Sequence, residues 1–131
     1  MRLLLDTHIL LWMLAGSERL GASAIALICN PGNQVAASTI SIWEVAVKWA
    51  RRRGVATDMP LSGSDFAEAL ASAGIEILSS TPAHATALDE LPLIHGDPFD
   101  RLLLATALVE GMTLLTRDVT LAEYGAGVRL I

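Results

Sequence analysis

The chain is short of cysteine, of aromatic side chains and of positive charge, and it has no long apolar run. Its one cysteine, Cys29, can close no internal disulfide. That suits a reducing cytoplasm, and the thiol is expected to pack as a small hydrophobe. Nine Lys and Arg stand against fourteen Asp and Glu, and the net charge of -5 excludes a protein that coats nucleic acid by charge alone. The longest apolar run, LLLATALV, lies between Arg101 and Glu110. It is far short of the roughly 20 residues a bilayer requires, so no membrane association is expected. The apolar start MRLLLDTHILLW is broken by Asp6 and His8, with no small-residue cleavage site after it, which argues against a signal peptide. Zinc-type Cys/His spacing, a Gly-rich phosphate loop, internal repeats and linker-like tracts are all missing.

What is present is a hydrophobic chain of 131 residues, 53% apolar and 18% charged, with a mean hydropathy of +0.51. This is enough to bury roughly two-thirds of the unfolded surface, and residues 1–131 read as one domain. It is also more apolar surface than a monomer of this size readily hides, which points to a homodimer or a permanent partner.

Short all-apolar runs alternate with helical patterns. RLLL, VAAS, IEIL, MTLLT and VRLI read as strands. Helical spacing follows through Ile9–Leu14, Ser23–Ile28, ISIWEVAVKWARRR, GSDFAEALASAG with a Ser64 or Asp65 cap, PAHATALDEL, the run after Asp97, and VTLAEYG. Such alternation predicts an α/β fold with a mostly parallel sheet covered on both faces.

Carboxylates fall at particular points of this layout. Asp6 follows the first strand, Glu44 lies on the helix after the second, Asp97 and Asp100 open the helix of HGDPFDRLLLATA, and Asp118 follows MTLLTR. Strand ends and helix starts of a parallel sheet meet along one edge, where ligands of open α/β folds bind. Helix starts attract acids in any case. DPFD has the form of a cap with proline at the first helical position, SIWE fits a capping box, and DVTL fits a third start. A cap stabilises by about 1 kcal/mol, whereas two like charges about 4 Å apart cost about 4 kcal/mol at an effective dielectric near 20. If three or four carboxylates converge, a divalent cation is what makes the arrangement sensible, and oxygen-only ligands suit Mg²⁺ or Mn²⁺.

The segments LLDTHILLW, STISIWEVAVK, HGDPFDRLLLATA and LLTRD, in this order, resemble PIN-domain proteins, especially the VapC toxins of type II toxin–antitoxin pairs. The likeness runs from residue 3 to about residue 121. It implies a three-layer α/β/α sandwich and a four-acid site that binds Mg²⁺ or Mn²⁺ and hydrolyses RNA phosphodiesters. It also implies a cognate VapB-like antitoxin that sets a basic side chain near the acids, with DNA engaged only through the antitoxin complex. By the same likeness the four acids are Asp6, Glu44, Asp100 and Asp118, and Thr7 and Thr116 are the hydroxyls beside them. An acid stands at all four positions. Asp6 and Asp100 are the expected direct metal ligands, with Glu44 and Asp118 completing the shell or taking a proton from attacking water.

The remaining features divide between function and structure. KWARRR is the only basic cluster, and Lys48 and Arg51 could hold RNA phosphates or simply end a helix. Arg101 could pair with a carboxylate or a phosphate. Trp12, Trp43 and Trp49 fit core or interface positions better than base-stacking ones. His8 is placed in the first loop, either solvated or touching substrate, and His84 and His95 are read as surface residues. A housekeeping RNA-processing nuclease of the same fold stays open. A phosphorelay receiver or an aspartyl phosphatase is disfavoured, because LLDTHI offers one acid where those need paired acids or D-x-D.

Overall fold

A computed structural model describes residues 1–131. Its strands are β1 (Arg2–Leu5), β2 (Gln34–Ser38), β3 (Glu76–Leu78), β4 (Thr113–Thr116) and β5 (Val128–Leu130). They form one sheet in the order β3-β2-β1-β4-β5, and every pairing is parallel. The helices are α1 (Thr7–Ala15), α2 (Ala22–Cys29), α3 (Thr39–Ala50), α4 (Gly63–Ser72), α5 (Pro82–Thr86), α6 (Pro98–Val109) and α7 (Val119–Ala122). The expected α/β architecture is present, and the sheet is parallel throughout.

The central strand shows why. Leu3, Leu4 and Leu5 are all fully buried, as a strand covered on both faces demands. Leu3 and Leu5 point into one core with Ile9 and Leu10 of α1, Ala24 of α2, and Phe66 and Leu70 of α4. Leu4 points the other way, into a core with Leu103, Leu104 and Ala107 of α6 and Leu121 of α7. The two cores are the two filled interfaces of a helix–sheet–helix sandwich.

Helices α3 and α4 meet closely. A Cβ added at Gly63 would lie 2.8 Å from the Ala46 Cβ and 3.3 Å from its Cα, so only glycine allows this approach. The chain builds outward from β1 to β2 and β3, then returns to place β4 and β5 on the other side. The carboxyl ends of β1 and β4 thus flank the point where the winding reverses, the customary ligand crevice of such sheets.

Several expectations are corrected. PAHATALDEL is not one helix, because α5 stops at Thr86 and Ala87–Glu90 form a 3-10 turn. The cap of α4 is Ser62, whose side chain accepts the Asp65 N–H, in place of Ser64 or Asp65. Cys29 is exposed at the end of α2, while Leu27 and Ile28 of the same turn pack against the core. His84 is buried: its Nδ1 accepts the Thr81 N–H at 3.1 Å, and its Nε2 lies 2.6 Å from Glu110 Oε1. That ring ties α5 to the end of α6.

Candidate active site

Asp6 is the N-cap of α1. One carboxylate oxygen accepts the Ile9 N–H at 2.9 Å, and the other accepts the Thr116 hydroxyl. Thr116 in turn receives the Asp118 N–H at 3.0 Å, so the ends of β1 and β4 are joined through one hydroxyl. Asp118 caps α7, accepting the Thr120 N–H at 2.8 Å. Asp97 caps α6 and receives the N–H groups of Phe99 and Asp100 at 2.8 and 3.2 Å. The capping box in SIWE does not form. Ser38, the last residue of β2 and three residues before Ser41, caps α3 instead, and Glu44 sits within the helix, 2% exposed. Its Oε1 lies 2.7 Å from Thr7 Oγ1, which is also 2.9 Å from Ser41 Oγ, and its Oε2 is 2.5 Å from Lys48 Nζ.

Asp6, Glu44 and Asp100 act on one another through their charges at this edge. Burial raises the Asp6 carboxyl above its usual range, against the Thr116 and Ile9 hydrogen bonds, and Glu44 adds to the rise. Asp100 is pushed up to about 7, first by burial and then by the charges of Asp97, Glu44 and Asp6. Burial would also lift Asp118, but the His95 hydrogen bond and the α7 N–H groups outweigh it and hold the carboxyl low.

The partners of the acids separate them into two pairs. Glu44 has Lys48 and Asp118 has His95, whose Nε2 lies 2.7 Å away. Asp6 has no ion-pair partner, and Asp100 meets only the same His95 nitrogen at 3.5 Å. The two acids left with the least compensation are the two that are raised. Together with an oxygen-rich donor set, this arrangement fits a hard divalent cation.

His95 is the residue that sequence reading missed. Its side chain is only 13% exposed, and one atom each of His95, Asp100 and Asp118 lie within 4.8 Å of one another. The usable signal was local: a histidine two residues before a capping aspartate can reach that residue's N–H, and Asp97 N–H donates to His95 Nδ1 at 3.0 Å. His8 was misplaced by one element. It lies in the first turn of α1.

Beside the acids runs a groove of 770 Å³ lined by His8, Trp12, Arg19, Lys48, Arg51 and Arg53 among others. Four of the chain's nine cations thus face one cleft, and Arg19, Arg51 and Arg53 have no carboxylate partner. Asp58, which also lines it, is turned to the N–H groups of Arg53, Gly54 and Val55. Trp12 faces His8 at 6.1 Å, and the Arg117 guanidinium lies 5.7 Å from its ring. Arg101 pairs with no carboxylate, donating instead to the Leu91 carbonyl at 3.2 Å. Trp43 is 54% exposed and packs edge-on against Phe99 at 4.8 Å. Arg52 lies 3.9 Å over Trp49.

Residues 3–127 match the family model of the PIN domain, and the chain belongs to that family. Among curated proteins it is similar to Ribonuclease VapC22 of Mycobacterium tuberculosis, 33% identical over 125 residues, covering 92% of this chain and 90% of that one. Two solved structures show the same fold. VapBC2 from Rickettsia felis, bound to a DNA fragment from its promoter, has TM-score 0.67 at 18% identity, covering 100% of this chain and 98% of the other. A toxin–antitoxin complex from Klebsiella pneumoniae has TM-score 0.65 at 24% identity, covering 96% and 94%.

Proposed function

We propose that residues 1–131 form one PIN nuclease domain that hydrolyses RNA phosphodiester bonds with Mg²⁺ or Mn²⁺, as the toxin of a type II toxin–antitoxin pair. The observation that carries this reading is the pairing of two uncompensated acids, Asp6 and Asp100, with Glu44 and Asp118 at the winding reversal of the sheet. Asp6 and Asp100 are the residues we assign to hold the cation. A divalent cation there supplies charge against a phosphate's non-bridging oxygens and acidifies adjacent water.

The protein's own groups do the rest. Thr7 fixes Glu44, and Thr116 fixes Asp6 while anchoring the backbone of Asp118. Glu44 or Asp118 takes the proton of the attacking water. Lys48 connects the acids to the basic groove, where Arg51 and Arg53 face out to hold phosphates of a single strand, with Trp12 as a stacking surface. In this reading Arg101 braces the loop at Leu91 through one guanidinium nitrogen.

A VapB-like antitoxin fits a second, apolar groove of 300 Å³ lined by Leu11, Leu14, Pro60, Leu61 and Ala69. Leu93, Val119 and Trp43, 87%, 67% and 54% exposed, leave apolar surface for a homodimer. We assign no direct DNA contact to this chain and a cytoplasmic setting, a reading supported by a single cysteine that can close no internal disulfide. No helix is long and apolar enough to cross a membrane.

The test is incubation of purified protein with total RNA in Mg²⁺, in Mn²⁺ and in EDTA, beside Asp6→Asn. Cleavage that depends on the cation and disappears in Asp6→Asn is expected. Undiminished cleavage in excess chelator would overturn the metal mechanism. Light scattering of the protein alone, and copurification when the native operon is expressed, check the dimer and the antitoxin.

A further inference from the structure

We propose that His95 is a positioning residue: its ring N–H holds the Asp118 carboxylate beside Asp100, and thereby sets how tightly the acidic centre binds a divalent cation. This rests on the reading of that centre given above.

The hydrogen bonds fix the ring's tautomer. His95 Nδ1 accepts the Asp97 N–H at 3.0 Å, so that nitrogen carries no proton, and a neutral imidazole then carries its proton on Nε2. The Nε2–H donates to Asp118 Oδ2 at 2.7 Å, with Asp100 Oδ2 beyond at 3.5 Å. His95, Asp100 and Asp118 have the spacing of a His/Asp/Asp metal set. The tautomer argues against it. Coordination by Nε2 would require that nitrogen to shed its proton while Nδ1 still accepts, leaving an imidazolate. His95 is therefore a donor to the centre, not one of its ligands.

The ring is held as firmly as it holds. The His95 N–H donates to Tyr124 Oη at 3.0 Å, and that hydroxyl donates to the Pro92 carbonyl at 2.9 Å. Arg101 donates to the Leu91 carbonyl at 3.2 Å. The loop before α6 is thus braced along its length, and its end carries His95 to the site. Asp118 receives the Thr120 N–H on one oxygen and the His95 ring Nε2–H on the other. Its plane is thus fixed from both sides. Outer partners of this kind change metal affinity by about 10–100-fold when removed.

The experiment measures Mn²⁺ affinity of the full chain, without RNA, by electron paramagnetic resonance for the wild type, His95→Ala and His95→Gln. The Gln amide N–H can take the place of Nε2–H. Affinity about tenfold weaker in His95→Ala, and within about threefold of wild type in His95→Gln, supports the proposal. An unaffected His95→Ala, or a His95→Gln as weak as His95→Ala, overturns it while leaving the nuclease reading intact. A wild type that binds no Mn²⁺ overturns both.

Nitrogen-15 spectra of the labelled wild type, assigned with His95→Gln, give an independent readout should His95→Ala fail to fold. A protonated Nε2 and a bare Nδ1, in EDTA and in Mg²⁺ alike, are expected. Loss of the Nε2 proton on adding Mg²⁺ would make His95 a ligand and refute the assignment.

Discussion

Replacing Asp100 by Asn should stabilise the metal-free protein, and should do so only above mildly acidic pH. Its carboxyl titrates at about 7 in the folded chain against 3.8 unperturbed. Below about pH 4 the group is protonated in both the folded and the unfolded state, and burial costs little. As pH rises from 4 to 7 the unfolded chain releases this proton freely while the folded chain retains it, so folding stability falls. Above 7 the full penalty applies, about 4 kcal/mol at 1.36 kcal/mol per pH unit. The side chain is 21% exposed, and solvent screening roughly halves this, to about 2 kcal/mol.

Asn keeps the shape and removes the charge. In EDTA at pH 8, Asp100→Asn should therefore melt about 6–8 °C above wild type, and at pH 4.5 the gap should nearly close. The same variant should lose the stabilisation that Mg²⁺ gives the wild type, about 2.7 kcal/mol at a hundredfold excess over Kd. Thermal melts followed by circular dichroism, with and without Mg²⁺ at both pH values, decide it. A variant less stable than wild type at pH 8 in EDTA, or a gap that does not change with pH, would refute the reasoning.

Asp97→Ala should cost about 1 kcal/mol in urea unfolding, since Asp97 caps α6 through two N–H groups, yet keep the Mg²⁺ response that Asp100→Asn loses. The double variant Arg51→Ala/Arg53→Ala should bind a labelled single-stranded oligoribonucleotide more weakly, with the salt slope of log K reduced by about 1.4; fluorescence anisotropy in EDTA measures it. Gly63→Ala should destabilise by about 1–3 kcal/mol, because the new methyl meets the Ala46 Cβ at the α3–α4 contact, and denaturant midpoints check this.

Much of the architecture was legible because β1 and β4 are apolar on both faces, which parallel strands require and few other elements tolerate. Asp6 and Asp118 could be set at one edge because each follows a strand, whereas Glu44, inside α3, and Asp100, on a helix that no strand directly precedes, were joined to them only by the family likeness. The sequence could not show how the charges are shared out. That Lys48 reaches Glu44 is a matter of one helical turn, but that Asp6 is left without a cation depends on β4 lying beside β1, a contact spanning 110 residues. His95 escaped for the same reason. Its bond to Asp97 is local, but its meaning comes from Asp118, which the sheet brings in from 23 residues away. A lone histidine gives no hint that the fold will bury it and pair it with Glu110, 26 residues away, and so His84 reads as a surface residue.

Asp6 and Asp118 each spend one oxygen on starting a helix and present the other to the centre. Asparagine starts a helix as well as aspartate does, since its carbonyl oxygen accepts the same N–H. At Asp6, whose second oxygen meets only a rotatable Thr116 hydroxyl, a single-base change to Asn therefore removes the charge assigned to the centre and keeps the helix cap. Loss of activity in this fold has no folding barrier to cross. Descendants that keep the sheet, the helices and the partner-binding surfaces, but cut nothing, lie one substitution from the active form. On the proposed nuclease reading, selection on cleavage rather than on folding holds Asp6 in place.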